Sequence, residues 1–112
     1  MKLIISFVNQ NFTPNLKLGL LNTRNNDFSW IGLGAIPGSG CTGIVFSNEK
    51  IYTTVQNGNL LTLDMYFNLL DEFELKKVSD PHSIYFQDNK LKIVSTGTNQ
   101  VINIGLDRTG IP

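Results

Sequence analysis

Apolar and polar positions alternate along this chain in short runs set between clusters of Asn, Asp, Gly, Ser and Pro. Runs such as Lys50 to Val55 are short, β-branched and apolar and are bounded by turn residues, the pattern of a meander of strands and not of helices. In the middle of the chain the pattern predicts four strands, Gly43 to Phe46, Lys50 to Val55, Asn59 to Leu63 and Leu69 to Leu75. Asn57-Gly58 is expected to supply the positive-φ residues of a tight hairpin. Helix is expected nowhere beyond a turn near Asp64 to Asn68, although Tyr66-Phe67-Asn68-Leu69-Leu70 also suits the start of a short amphipathic helix. The opening, Met1-Lys2 followed by Leu3 to Val8, imitates a secretory leader. Its apolar run stops at Asn9-Gln10-Asn11 with no small-residue cleavage site, so it reads as a strand.

The runs repeat. Ile44-Val45-Phe46-Ser47-Asn48-Glu49-Lys50-Ile51 aligns with Ile84-Tyr85-Phe86-Gln87-Asp88-Asn89-Lys90-Leu91, about forty residues later. Leu60-Leu61-Thr62-Leu63 aligns forward with Val101-Ile102-Asn103-Ile104 and backward with Leu18-Gly19-Leu20-Leu21. In the third unit, turns are expected at Gln87-Asp88-Asn89 and Thr96-Gly97-Thr98. Lys2-Leu3-Ile4-Ile5 matches Lys50-Ile51-Tyr52-Thr53, so the first unit starts at its second strand, and Gln10 to Asn15 lengthens the hairpin that follows. Phe28-Ser29-Trp30-Ile31 supplies an outer strand, and the third unit ends soon after Leu106 without one. The expectation is an all-β chain of about ten strands, in four-stranded antiparallel meander repeats grouped three, four and three.

Pro81-His82-Ser83-Ile84-Tyr85-Phe86-Gln87-Asp88-Asn89-Lys90 and its continuation to Val101 resemble an NHL or YVTN-type β-propeller blade. In such blades a proline opens the inner strand, a polar turn follows and a Gly-x-Asn turn precedes the third strand, as Pro81, Asp88-Asn89 and Gly97-Thr98-Asn99 do. Asn89 stands where glycine is usual, and Gln100 where arginine is common. The resemblance implies a partial β-propeller with blade 1 at about 1–34 lacking its first strand, blade 2 at about 41–78, and blade 3 at about 81–112 lacking its outer strand. Because a complete propeller has at least four blades, the chain is expected to be the N-terminal part of a longer one. Its expected partners are the remaining blades, or further copies held through open strand edges. Similar propellers include scaffolds, ligand-binding modules, lactonases and lyases, so the fold implies no single activity.

Charge narrows the field. Nine Lys and Arg balance nine Asp and Glu, which gives no steering toward nucleic acid or anionic membrane. No run approaches the ~18 apolar residues of a membrane-spanning helix, and a cytoplasmic location is the default expectation. The lone Cys41 excludes an internal disulfide and a multi-cysteine zinc site, and no cofactor or metal is expected.

Candidate chemistry is sparse. His82, the only histidine, precedes the inner strand of its unit, where a propeller lines its channel, and suits a general base or a metal ligand, although structural or hydrogen-bonding duty is the favoured reading. Asp80 could orient it, although Ser79-Asp80-Pro81 reads equally as a turn, with Asp80 pushed toward an extended conformation by the proline. Cys41 and Thr42 align with Pro81 and His82, so Cys41, Thr42, His82 and Ser83 form the expected channel-mouth set. A thiol–imidazole pair of Cys41 and His82 competes with Cys41 as a small buried apolar residue. Gly32-Leu33-Gly34-Ala35-Ile36-Pro37-Gly38-Ser39-Gly40 lacks the third glycine, the following helix and the Lys-Ser/Thr pair of phosphate-binding loops, and is expected to be a linker. Phe28 and Trp30 are expected to pack between units, Asn11-Phe12-Thr13 matches a glycosylation sequon, and Lys76-Lys77 reads as a solvated strand end. The favoured expectation is a noncatalytic binding scaffold. The alternative is part of a propeller lyase or lactonase using His82 and Asp80, and a self-assembling propeller lectin is a third reading.

Overall fold

The computed structural model describes residues 1–7, 15–38 and 40–112. Ten strands occur among them, in three antiparallel sheets. The first sheet has the order β1 (Lys2–Ile5), β2 (Asn15–Asn22), β3 (Asp27–Pro37). The middle sheet runs β4 (Cys41–Ser47), β5 (Lys50–Val55), β6 (Leu60–Leu63), β7 (Leu69–Phe73), and the third runs β8 (Pro81–Gln87), β9 (Lys90–Ser95), β10 (Gln100–Gly105). Each sheet is a simple meander, and none closes into a barrel. Among the described residues the helical content is one 3₁₀ turn at Thr96–Thr98.

The sheets stack face to face, and the central strands β5 and β6 of the middle one are buried on both sides. Along β5, Ile51 and Val55 join Leu61, Leu63 and Cys41 against Leu16, Leu18 and Leu33 of the first sheet. Tyr52 and Leu60 point the other way, against Ile84, Leu91 and Ile93 of the third. Strict two-residue alternation therefore serves two cores at once, because successive side chains leave opposite faces of a strand. The second core also takes Leu75 from the β7–β8 connection.

The turns repeat as well as the strands. Ser47 pairs with Lys50 across Asn48 (φ 51°) and Glu49 (φ 61°), and Gln87 pairs with Lys90 across Asp88 (φ 55°) and Asn89 (φ 58°). Two consecutive left-handed residues match the right-handed twist of the flanking strands, and Asn and Asp tolerate that region best after glycine. The next hairpin departs from expectation. Only Gly58 takes a positive φ, 102°, while Asn57 contributes its side chain, whose Oδ1 accepts the Asn59 N–H at 3.0 Å.

A second device closes the reversal after the third strand. Asp64 Oδ1 accepts the N–H groups of Tyr66 (2.8 Å) and Asn68 (2.9 Å), while the Asp64 N–H donates to the Asn68 carbonyl at 3.0 Å. Asp107 does the same in the third unit, with Thr109 (2.8 Å), Ile111 (3.0 Å) and a return bond to the Ile111 carbonyl at 2.8 Å. Phe67 (φ 67°) and Gly110 (φ 82°) occupy the same left-handed position. The Tyr66 to Leu70 run is thus a turn leading into a strand, not a helix.

Two further expectations change. Gly32 to Pro37 belongs to β3 and is not a linker, because β2 starts at Asn15 and offers Pro37 a pairing partner, while Leu33 is buried in the first core. Phe28 and Trp30 do not pack between sheets. They lie on the outward face of the first sheet with Phe7, at centroid separations of 5.0 to 6.3 Å, and are 45% and 40% exposed. Gly19 leaves room beneath them, since a Cβ there would lie 2.7 Å from the Phe28 ring and 2.9 Å from that of Phe7. Residues 8–14 and 39 lie outside the described set, and with them most of the lengthened first hairpin and the sequon at Asn11.

Candidate functional site

Where the first strand of a unit begins, the middle and third units share one irregularity. Cys41 pairs with Val55 and Gly43 with Thr54, leaving Thr42 as an extra residue; Pro81 pairs with Ser95 and Ser83 with Val94, leaving His82. A bulge of this kind takes a side chain out of the strict alternation of its strand and re-aims it. The alignment of Thr42 with His82 therefore has a geometric counterpart.

The two bulged residues are used differently. Thr42 turns inward, and its hydroxyl lies 2.9 Å from that of Thr54, with the neighbouring Thr53 hydroxyl donating to the Gly43 carbonyl at 2.7 Å. His82 turns outward, and its Nε2 lies 3.2 Å from Asp80 Oδ1, with both side chains more than half exposed. Asp80 has a φ of 50°, in the left-handed region and not the extended one its following proline favours. The third unit holds it there through two donors of one residue: the Thr96 N–H and hydroxyl reach the Asp80 carbonyl at 3.3 and 2.7 Å, and the same hydroxyl lies 3.2 Å from Oδ2. Beneath it, buried Ser95 accepts the Ser79 N–H at 2.9 Å and the Thr98 hydroxyl at 2.7 Å. The Thr98–Ser95 bonds thus hold the backbone of Ser79 and the Thr96 bonds that of Asp80, which sets the Asp80 side chain on the same side as the imidazole.

Of the residues predicted for the site, the fold brings Asp80 and His82 together. Ser83 is exposed beside them on β8. Cys41 does not join them: it is fully buried in the first core, and desolvation pushes its thiol up to about 11, offset in part by a hydrogen bond with Thr53. A thiol so placed is not a nucleophile at neutral pH. The sequence reading missed Thr96, Ser79 and Ser95. Their signal was the Ser-Asp-Pro and Ser-Thr-Gly-Thr runs, whose hydroxyls bond to backbone across turns as such residues commonly do.

The pair can orient and exchange a proton, bind a small polar group or hold a peptide carbonyl, but it is open to water on its outer side. No group of three or more His, Cys, Asp or Glu that could hold a metal occurs among the described residues. A cleft of about 400 Å³ lies at the opposite strand ends, between the hairpins of Asn48 and Asn89 and the Asp107 turn. Another, of about 370 Å³, runs between Phe73–Val78 and β10. No helix among the described residues is long and apolar enough to cross a membrane. The chain matches no protein-family model and no curated protein.

Proposed function

We propose that the chain is a propeller-type repeat segment, of the NHL or YVTN kind, that acts as a noncatalytic scaffold and binds a ligand or protein partner where its first strands begin. One observation carries this reading. The Thr42 and His82 positions share a backbone bulge but carry unlike side chains, one tied inward and one presented outward beside Asp80. A fixed frame with variable outward groups suits recognition, and function belongs to such sites more than to the fold that carries them. Catalysis by Asp80 and His82 would favour an enclosed pocket that excludes water, whereas both groups are more than half exposed. Additional units, or copies joined through open strand edges, would extend the same surface.

The 3.2 Å Asp80–His82 contact is the one feature that favours the lyase or lactonase reading, and a single experiment separates the two. The ¹⁵N-labelled chain is titrated with a peptide library, a glycan panel and a lactone panel, reading amide shifts and turnover together. Saturable shifts confined to 40–43, 79–83 and 95–98 without turnover support the scaffold. Turnover abolished by His82→Ala supports the enzyme, and saturable shifts centred elsewhere overturn both placements.

A further inference from the structure

The two internal interfaces are built alike, and each is head-to-tail. In the first, the middle sheet presents Ile51, Leu61 and Leu63 to the sheet before it. In the second, it presents Tyr52 and Leu60 to the sheet after it. Every unit thus has a leading and a trailing face of different composition, and the same pairing of unlike faces occurs twice in one molecule.

That pairing leaves one face of each kind on the outside. On the first sheet, Leu3, Gly19 and Leu21 stand at the positions that Ile51, Leu61 and Leu63 hold in the middle sheet. Register places Leu3, Leu21 and Phe28 in one cross-strand row and Ile5, Gly19 and Trp30 in the next. The result is an apolar surface with Leu3 (42%), Phe28 (45%) and Trp30 (40%) open to solvent. On the third sheet, Lys92, Val94, Val101 and Asn103 hold the positions of Tyr52, Thr54, Leu60 and Thr62, with Val94 opposite Val101 and Lys92 opposite both Tyr85 and Asn103. Tyr85 is 43% and Val101 51% exposed.

We infer that the aromatic face of the first sheet is an interaction surface for a second copy of this chain, seated by the outward face of that copy's third sheet. The occupant follows from the internal interfaces, in which a first-sheet type of face is always covered by a third-sheet type and never by its own kind. The chemistry agrees. Lys92 Nζ donates to the side-chain Oδ1 of Asn103 at 2.7 Å, on the face that would meet the Phe7, Phe28 and Trp30 rings, and a cation over an aromatic cluster is attractive. The chain has no net charge, so copies do not repel at long range. Because the contact joins unlike faces, it propagates, giving a ring or an open stack instead of a closed two-fold dimer. This inference stands on the sheet stacking and is independent of the Asp80–His82 surface.

Sedimentation velocity on the whole chain, from micromolar to near-millimolar concentration, tests it with two face-blocked variants. Phe28→Glu/Trp30→Glu blocks one face and Tyr85→Glu/Val101→Glu the other. The parent should associate with rising concentration, and each variant alone should be weakened about thirtyfold or more. An equimolar mixture of the two should form a dimer and nothing larger, because each contributes its one intact face. Far-UV circular dichroism checks folding. Should a double variant lose its β spectrum, Leu3→Glu or Val101→Glu alone replaces it on the same face. A parent that stays monomeric throughout, a mixture that stays monomeric, or association lost in the aromatic-face variant but intact in the other would each overturn the inference.

Discussion

At the scale of single residues, the middle sheet pays for its double burial in threonines. Thr53 and Thr54 satisfy their hydroxyls, but the Thr62 hydroxyl is fully buried with no protein partner. A buried polar group without a bond costs about 1–3 kcal/mol, and valine has nearly the same shape. Thr62→Val should therefore stabilise the chain by about 1 kcal/mol, read as a higher urea midpoint with unchanged slope. Cys41 predicts a pH dependence. Burial raises its pKa from an ordinary 9.0 to about 11, so the native state favours the protonated thiol. The corresponding stability is complete below about pH 9 and is lost as pH rises through 11, a loss on the order of 2–3 kcal/mol. Tyr52, also raised by burial, acts in the same direction. Urea midpoints measured from about pH 8 to about pH 11 should fall less steeply for Cys41→Val than for the parent. The alignment of Cys41 and Thr42 with Pro81 and His82 was legible in sequence, but the direction of each side chain was not. A bulge decides that, and bulges leave no period-2 signature.

Elements are where the sequence spoke most clearly. β5 was legible to its end residues, since Lys50 to Val55 is framed by a two-residue turn on one side and Asn57-Gly58 on the other. β3 was not, because Gly32, Gly34 and Pro37 argue against a strand locally, and only pairing with a β2 that begins at Asn15 and burial of Leu33 override them. A turn near Asp64 was expected, but its closure by the Asp64 carboxylate, and the Asp107 turn that repeats it, escaped notice for a different reason: one carboxylate serves several backbone donors, and the residues between can be almost anything. Both carboxyls lie below the ordinary carboxylate range, chiefly through side-chain hydrogen bonds from Asn68 and Thr109 and the backbone N–H groups of their turns. Each folded-state pKa is depressed, so the stability each turn contributes is present above the unfolded value and lost as pH falls through the folded one. Asp64→Ala should lower the melting temperature at neutral pH, with the gap from the parent narrowing in acid. An equal gap at both pH values would show that the carboxylate charge is not what closes the turn.

The whole molecule depends on how far one sheet holds the next in place. The first and middle sheets share a broad apolar core, whereas the third adds a polar tie. From β5, Tyr52 is fully buried and its hydroxyl donates to the Gly110 carbonyl at 2.6 Å, reaching into the Asp107 turn at the far end of β10. That bond spans two sheets, so removing it should act on their docking more than on either meander, each of which keeps its own ladder. Tyr52→Phe keeps the ring in the second core and deletes only the donor, leaving the Gly110 carbonyl without that bond. The expected cost is about 1 kcal/mol, the usual size for one such bond. Where the cost falls is the sharper prediction. Amide hydrogen exchange should quicken in 106–111, where the turn loses its anchor, and on β10, while β5 and β6 keep the protection of the global core. Uniformly faster exchange in all three sheets would mean that they open as one cooperative unit. Unchanged exchange at 106–111 would mean that the Asp107 turn holds the end of the third sheet without help from its neighbour.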